Sequence, residues 1–201
     1  LADEARLLGW QGNSVGVFRF ASNRHVLVLV FPSLAEQGAA MNRLAAFAEK
    51  EGLPRDRVLD DAQLAAAIAA EGSTPETYYL GHDYRAVDLA RFFALAERDG
   101  IELTPQERWL RVLAQQEGML AEGAAQALVS IPRTVPEMDP ALRAAVLRHE
   151  LSHGEFFTNP VYTAYAMQFW REGLGAAGRA AFTRFLVRQG YDAHDETLMA
   201  N

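Results

Sequence analysis

Hydrophobic residues near the start of the chain fall into two short stretches that predict paired β-strands. Residues 15–20 and 25–31 are rich in valine and phenylalanine, which favour the strand conformation. The polar tripeptide Ser22-Asn23-Arg24 separates the two stretches at the spacing of a β-hairpin. A later apolar stretch at 125–131, which Pro132 ends, predicts one further strand.

Helix-capping patterns predict that most of the remaining chain is helical. Residues 33–36 and 104–107 each carry the Ser or Thr and the Glu of a capping box. Asp139-Pro140 begins another helix, and Asn159-Pro160 ends it, because a residue that precedes proline is disfavoured in the α-conformation. The other predicted helices cover 60–71, 86–98, 161–172 and 182–188. The chain is therefore predicted to adopt an α+β fold, mostly helical, with an N-terminal hairpin and a small sheet.

One segment between two predicted helices is rich in polar and aromatic residues. Residues 77–80 predict a short strand. The stretch that follows, Gly81-His82-Asp83-Tyr84, is interpreted as a surface turn in which Asp83 caps the next helix. The alternative is that His82 completes a metal site or contacts a substrate.

Composition narrows the classes of function. The 201 residues predict a single domain, with the hairpin and several helices in 1–124 and a second group of helices in 125–201. A net charge of −7 argues against binding to nucleic acid or to an anionic membrane surface, and no apolar run has the length of a membrane span. Because the chain contains no cysteine, a bound metal must be held by His, Asp or Glu. The first residues, Leu1-Ala2-Asp3, are of the kind left by signal-peptide cleavage, which favours a periplasmic or secreted location.

The stretch 148–157 contains the motif His149-Glu150-x-x-His153. Residues four apart lie on the same face of a helix, so both imidazoles can reach one tetrahedral zinc ion at about 2.0–2.1 Å. Glu150 points about 100° around the helix from His149, which suits a general base that takes a proton from zinc-bound water. The alternative is an ordinary helix with two unrelated histidines.

The residues around the motif favour the zinc interpretation. Leu142, Val146, His149 and His153 form one helical stripe, so we expect both histidines to continue an apolar face that points into the protein. Gly154 is expected to leave room at the site. The strand predicted at 127–131 is expected to offer the edge along which an extended substrate pairs.

At this point the chain resembles the zincin metallopeptidases. The resemblance rests on His149, Glu150 and His153 with the preceding strand, and it extends over about 125–172. It implies a Zn²⁺ ion held by His149 and His153, Glu150 as general base, and hydrolysis of peptide bonds in a peptide or protein substrate. The residues after the motif lack the glycine and third histidine of the metzincin branch. The branch whose ligand is a glutamate on a later helix therefore fits better.

The third protein ligand stays open at this stage. Glu172 lies on the following predicted helix, as the glutamate of that branch does, and is our principal candidate. Asp195, Glu196 and a residue beyond Asn201 are the alternatives. The rival to a zinc-dependent hydrolase is a non-catalytic binding or scaffold protein that retains the metal-binding helix.

Overall fold

The centre of the fold is a mixed four-stranded sheet. A computed structural model describes residues 1–50, 52–136, 138–188 and 196–200, with the backbone alone for residue 198. The strand order is β1-β2-β4-β3; β1 and β3 run antiparallel to their neighbours, while β2 and β4 are parallel. The strands are β1 (Gly16–Arg19), β2 (Val26–Phe31), β3 (His82–Arg85) and β4 (Ala127–Pro132).

Helices make up most of the rest, which confirms the predicted α+β, mostly helical fold. A π-helical turn, Phe169–Gly173, follows the seventh helix. The described α-helices are α1 (Glu4–Leu8), α2 (Leu34–Ala48), α3 (Asp61–Ala70), α4 (Ala86–Arg98), α5 (Pro105–Gln116), α6 (Pro140–Thr158), α7 (Pro160–Gln168), α8 (Gly175–Arg188) and α9 (Glu196–Ala200).

The sheet is covered on both faces. One core contains Leu27, Leu29 and Leu128 with apolar residues of α2, α4 and α5. The opposite core contains Val28 and Val129 with apolar residues of α1 and α6. Because β2 and β4 are buried on both faces, they consist of nearly uninterrupted apolar residues, as parallel strands generally do.

The predicted helix boundaries are largely confirmed. The Ser33 and Thr104 side chains accept hydrogen bonds from the third residue of their helices, Asp139 accepts two at the start of α6, and α6 ends before Asn159. The segment 77–80 is not a strand, and the strand lies just after it at β3. The helix predicted at 182–188 begins earlier, at Gly175, and is α8.

The orientation of α6 on the sheet differs from the prediction. The prediction that one stripe of α6 points into the protein is wrong, since Leu142 is 41% exposed and His149 is also exposed. The buried face of α6 includes two charged residues, Arg143 and Glu150. Arg143 donates hydrogen bonds to the carbonyls of Leu7, Leu8 and Pro132, and Glu150 is buried beside β3. The residues of α6 that are buried are Arg143, Leu147, Glu150, Leu151, Gly154 and Phe156.

The edge of the sheet nearest α6 is β3. The expectation that 127–131 offers an edge to a substrate is wrong, because β4 is hydrogen-bonded to β2 on one side and to β3 on the other. Within the described part of the chain, β3 has a strand partner on one side only. In the described sheet β1 and β3 are thus the two edge strands, and β3 is the one beside α6.

The helices after α6 contribute little to the core. No side chain of α7 or α8 is buried, and the described contact between α7–α8 and the rest runs through the end of α6. Among the helices that the structure describes, none combines the length and the apolar character that a membrane crossing requires.

Gly154 sets the distance between α6 and the sheet. A Cβ atom at this position would lie 3.0 Å from both γ-methyl groups of Val26. We expect Gly154→Leu to lower the free energy of unfolding by about 1–3 kcal/mol through overpacking, which corresponds to a decrease of about 2–12 °C in Tm. Differential scanning calorimetry measures the change.

The matched control is Gly178→Leu in α8, where an added Cβ makes only ordinary contacts, at 3.6 Å from Leu174. We expect this variant to keep the Tm of the parent chain. Equal melting temperatures for the Gly154 variant and the control would show that α6 does not depend on this close approach.

Candidate metal centre

The two histidines of the motif face each other across one turn of α6. The Nε2 atoms of His149 and His153 lie 3.0 Å apart, and their ring centroids are separated by 4.4 Å. The ring of His153 also stacks on Phe157, with an angle of 21° between the two planes. The two Nε2 atoms are thus within hydrogen-bonding distance of each other on one side of α6, with the ring planes at 83°.

The protonation state of His149 suits metal binding. Partial burial of its imidazole, together with the facing ring of His153, lowers the pKa of His149 to about 4, although the residue as a whole is among the exposed ones. His149 is therefore neutral at pH 7. A neutral imidazole has a free nitrogen lone pair and binds a metal without first losing a proton.

The edge strand adds a carboxylate to this pair. Asp83 lies in β3, and its Oδ2 atom is 3.7 Å from Nε2 of His153. Successive side chains of a strand point to opposite faces, so Asp83 faces α6 while its neighbours His82 and Tyr84 face the other core. The side chain of Asp83 is only 18% exposed.

Glu150 is buried between α6 and the start of β3. A Cβ atom at Gly81 would lie 2.7 Å from both Cγ and Cδ of Glu150, so the carboxyl group occupies the space that a side chain at 81 would need. Burial, and then the neighbouring carboxyl groups of Asp83 and Glu49, raise the pKa of Glu150 well above its usual value. The Glu150 side chain also hydrogen-bonds Asp83, which favours the ionised form of the Asp83 carboxylate.

His82 is a core residue on the other face of the sheet. Its Nδ1 atom lies 3.0 Å from the Gln37 side-chain nitrogen and 3.2 Å from the Ser130 hydroxyl, and burial lowers the pKa of His82 to about 3. The interpretation of 81–84 as a surface turn is therefore wrong. Asp83 does not cap α4 either, since the N-cap residue is Arg85 and makes no side-chain cap hydrogen bond.

Two of the predicted third ligands have other side-chain partners, and the remaining ones fall outside the described residues. The carboxylate of Glu172 accepts a hydrogen bond from Gln168, and that of Glu196 pairs with Arg171 at 2.7 Å. Asp195 and Asn201 fall outside the described residues. In the part of the chain that the structure describes, no three or more His, Asp or Glu side chains are arranged to hold a metal ion. Ligation by Glu172 stays a prediction.

Sequence reasoning assigned Gly81 and Asp83 to a surface turn and missed their place beside α6. Asp83 lies in a four-residue strand without a β-branched side chain, which β-propensity does not single out, and Gly81 directly precedes that strand. The order of side chains in 82–85 is the signal in the sequence that indicates this strand. Histidine and tyrosine at alternate positions, with aspartate between them, match a strand that is buried on one face and borders a polar site on the other.

A cavity elsewhere in the molecule shares no residue with this centre. It has a volume of about 400 Å³ and lies at the end of β2 and the beginnings of α2 and α5. Phe31 and Trp109 form its aromatic wall, and Glu36 is the charged residue in its lining. It contains no pair of groups suited to metal binding or to acid–base chemistry.

The chain matches no family model, no curated protein and no solved structure. The resemblance to zincins therefore rests on the motif residues alone.

The contact between Gly81 and Glu150 can be tested by a double-mutant cycle. We expect Gly81→Ala to lower the free energy of unfolding by about 1–3 kcal/mol, because the added methyl group overpacks the site of the Glu150 carboxyl. In a Glu150→Ala background this cost should largely disappear, giving a coupling of about 0.5–3 kcal/mol. Urea unfolding of the four chains measures it. The same cost in both backgrounds would mean that Glu150 does not require the glycine.

Proposed function

We propose that the protein is a zinc-dependent hydrolase, and specifically a metallopeptidase. The observation that carries the proposal is the pair of imidazoles on α6, whose Nε2 atoms lie 3.0 Å apart beside the edge strand β3. Two ligands of a tetrahedral zinc ion with bonds of about 2.0–2.1 Å are separated by about 3.3–3.4 Å, so the pair needs little adjustment. Imidazole nitrogen and carboxylate oxygen are both donors that zinc accepts.

In this proposal His149 and His153 hold the ion, and the side chains around them carry out the proton transfers. A zinc ion would polarise a carbonyl group and lower the pKa of a bound water to about 7. Glu150 accepts the proton of the attacking water and passes it to the leaving amine. Glu150 follows His149 by one residue and is buried against the start of β3, so its side chain points about 100° around the helix from that imidazole and is not assigned as a ligand.

The position of β3 at the edge of the described sheet supports a peptide substrate over a smaller one. In this proposal an extended peptide adds alongside β3, which would let the site bind many sequences through the main chain. Asp83 belongs to this strand and approaches His153, so a peptide paired there would pass the imidazoles. Phe157, with Arg85 over its ring at 5.9 Å, supplies an apolar and a cationic group at the same place.

The first prediction is that one zinc ion binds per chain through the two histidines. After reconstitution with zinc and removal of the excess, elemental analysis should give about one metal per chain. We expect His153→Ala to lower the Tm only when zinc is present, since a ligand of the native state stabilises it, by about 4 kcal/mol at a thousand times its Kd. The control is His25→Ala, an exposed histidine at the start of β2, which should leave zinc binding unchanged. Less than a tenth of a metal per chain in the parent protein would refute the proposal.

The second prediction separates the general base from the ligands. Glu150→Gln should retain zinc and lose peptide hydrolysis by about 10²–10⁴-fold, the usual effect of removing a general base. Cleavage of a broad peptide library, followed by mass spectrometry, provides the assay. If the variant also loses its zinc, Glu150 is a ligand. If the parent chain binds a full equivalent of zinc and cleaves no peptide, the non-catalytic scaffold becomes the better description.

A further inference from the structure

We propose that the cavity at the end of β2 is a binding site for a small organic cation, specifically a primary amine that carries an aromatic group. Its volume of about 400 Å³ is within the range of small-molecule sites. The cavity shares no residue with the candidate metal centre. The inference therefore goes beyond the proposed hydrolase function and does not depend on it.

The cavity has a position in the fold at which ligands commonly bind. Phe31 is the last residue of β2, and the chain turns from there into α2. Open sheets with parallel strands usually bind ligands outside the carboxyl ends of those strands, and β2 is parallel to β4. Phe31 is 1% exposed and is paired in register with Pro132 of β4, so this wall of the cavity belongs to the rigid centre of the molecule.

Two aromatic rings shape the apolar part of the cavity. The ring centroids of Phe31 and Trp109 are 6.2 Å apart, and the planes meet edge to face at 78°. Trp109 is half-buried, because it packs against the core beneath α2 and α5 and also lines the cavity. Aromatic side chains bind another ring through such faces and edges, and an indole face also attracts a cation.

Glu36 provides the only charge in the cavity lining, and that charge is negative. In the described part of the chain no ion pair involves Glu36. By contrast, Glu107 at the start of α5 has its own partner, since Arg43 lies 2.8 Å from its carboxylate. The Glu36 carboxylate is thus the group with which the ammonium of a bound amine would pair.

The same walls are poorly suited to an anion. The cavity borders the starts of α2 and α5, and anions bind at helix starts through free backbone N–H groups. Pro105, the first residue of α5, has no N–H group. The N–H groups of Glu36 and Glu107 are already hydrogen-bonded to the capping side chains of Ser33 and Thr104. The cavity therefore favours a cation over an anion of the same shape.

The test is an NMR titration of the full chain with three probes of similar shape and different charge. These are 2-phenylethylamine, the neutral 2-phenylethanol and the anionic 3-phenylpropanoate. The chain has three tryptophans, and Trp10 and Trp170 contact Phe18 and Phe182 instead of lining the cavity, so their indole N–H signals are internal controls. The missing signal of Trp109→Phe identifies that of Trp109.

We expect the amine to shift the Trp109 signal with a Kd of about 1 mM or tighter, which good contacts allow for a probe of this size. The alcohol should bind about three- to tenfold more weakly, an effect between that of an exposed ion pair and that of a charge-assisted hydrogen bond. The propanoate should bind more weakly than the alcohol.

Glu36→Gln removes the charge and retains the size of the side chain. We expect it to lower the affinity for the amine to that for the alcohol, and to leave the affinity for the alcohol unchanged. The matched control is Glu102→Gln, which removes the same charge from an exposed residue just before α5 that does not line the cavity. This control should bind all three probes as the parent chain does.

Several outcomes would overturn the inference. One is the absence of a saturable shift of the Trp109 signal at about ten times the expected Kd of the amine. Another is an equal shift of all three indole signals, which indicates nonspecific contact. Equal affinities of Glu36→Gln and the parent chain for the amine would show that the cavity does not select a cation. The titration is carried out without added metal, so failure of the zinc proposal leaves its result unchanged.

Discussion

The rotation of α6 about its own axis is the constraint on which the rest of the site depends. The helix packs against β2 and β4 through a face on which Gly154 allows close approach, and that face includes the buried side chains of Arg143 and Glu150. Because Glu150 is directed at the sheet, the motif histidines are turned to the border between protein and solvent. A histidine pair buried in the core could not meet a substrate, whereas the proposed function requires a pair at this border.

Burial of carboxyl groups beside the imidazoles gives the site its electrostatic character. Burial raises the pKa of Asp83 and of Glu150. The nearby charge of Asp83 raises the pKa of Glu150 further, whereas the hydrogen bond from Glu150 lowers that of Asp83. A divalent cation next to these groups favours their ionised forms and offsets the cost of burying them. The buried acid groups and the neutral imidazole of His149 are thus complementary to a cation, although they belong to different elements of the fold.

The elements that local chemistry determines were predictable, and those that depend on tertiary pairing were not. Side-chain caps such as Thr104 and Asp139 mark helix starts that the structure confirms, because a cap satisfies backbone donors within a few residues. The face of α6 was predicted wrongly, since helical periodicity assigns charged residues to solvent. Arg143 is buried because three carbonyl groups from distant segments accept its hydrogen bonds, which no local pattern reveals. The strand β3 was displaced in the prediction for the same reason: its partner lies more than forty residues away in sequence.

Asp83 lies beside His153 only because β3 and β4 pair in the observed register. Asp83 is opposite Val129, whose side chain is in the core that α6 covers, and it therefore shares that face. A slip of one residue would turn His82 or Tyr84 towards α6 and Asp83 towards the other core, since a strand reverses its faces with every residue. Two features oppose the slip. Tyr84 fills the core beneath α2 and α4, and His82 is fixed by Gln37 and Ser130. The polar contacts of His82, which take no part in the proposed chemistry, thus hold in register the strand that carries Asp83 to the two histidines.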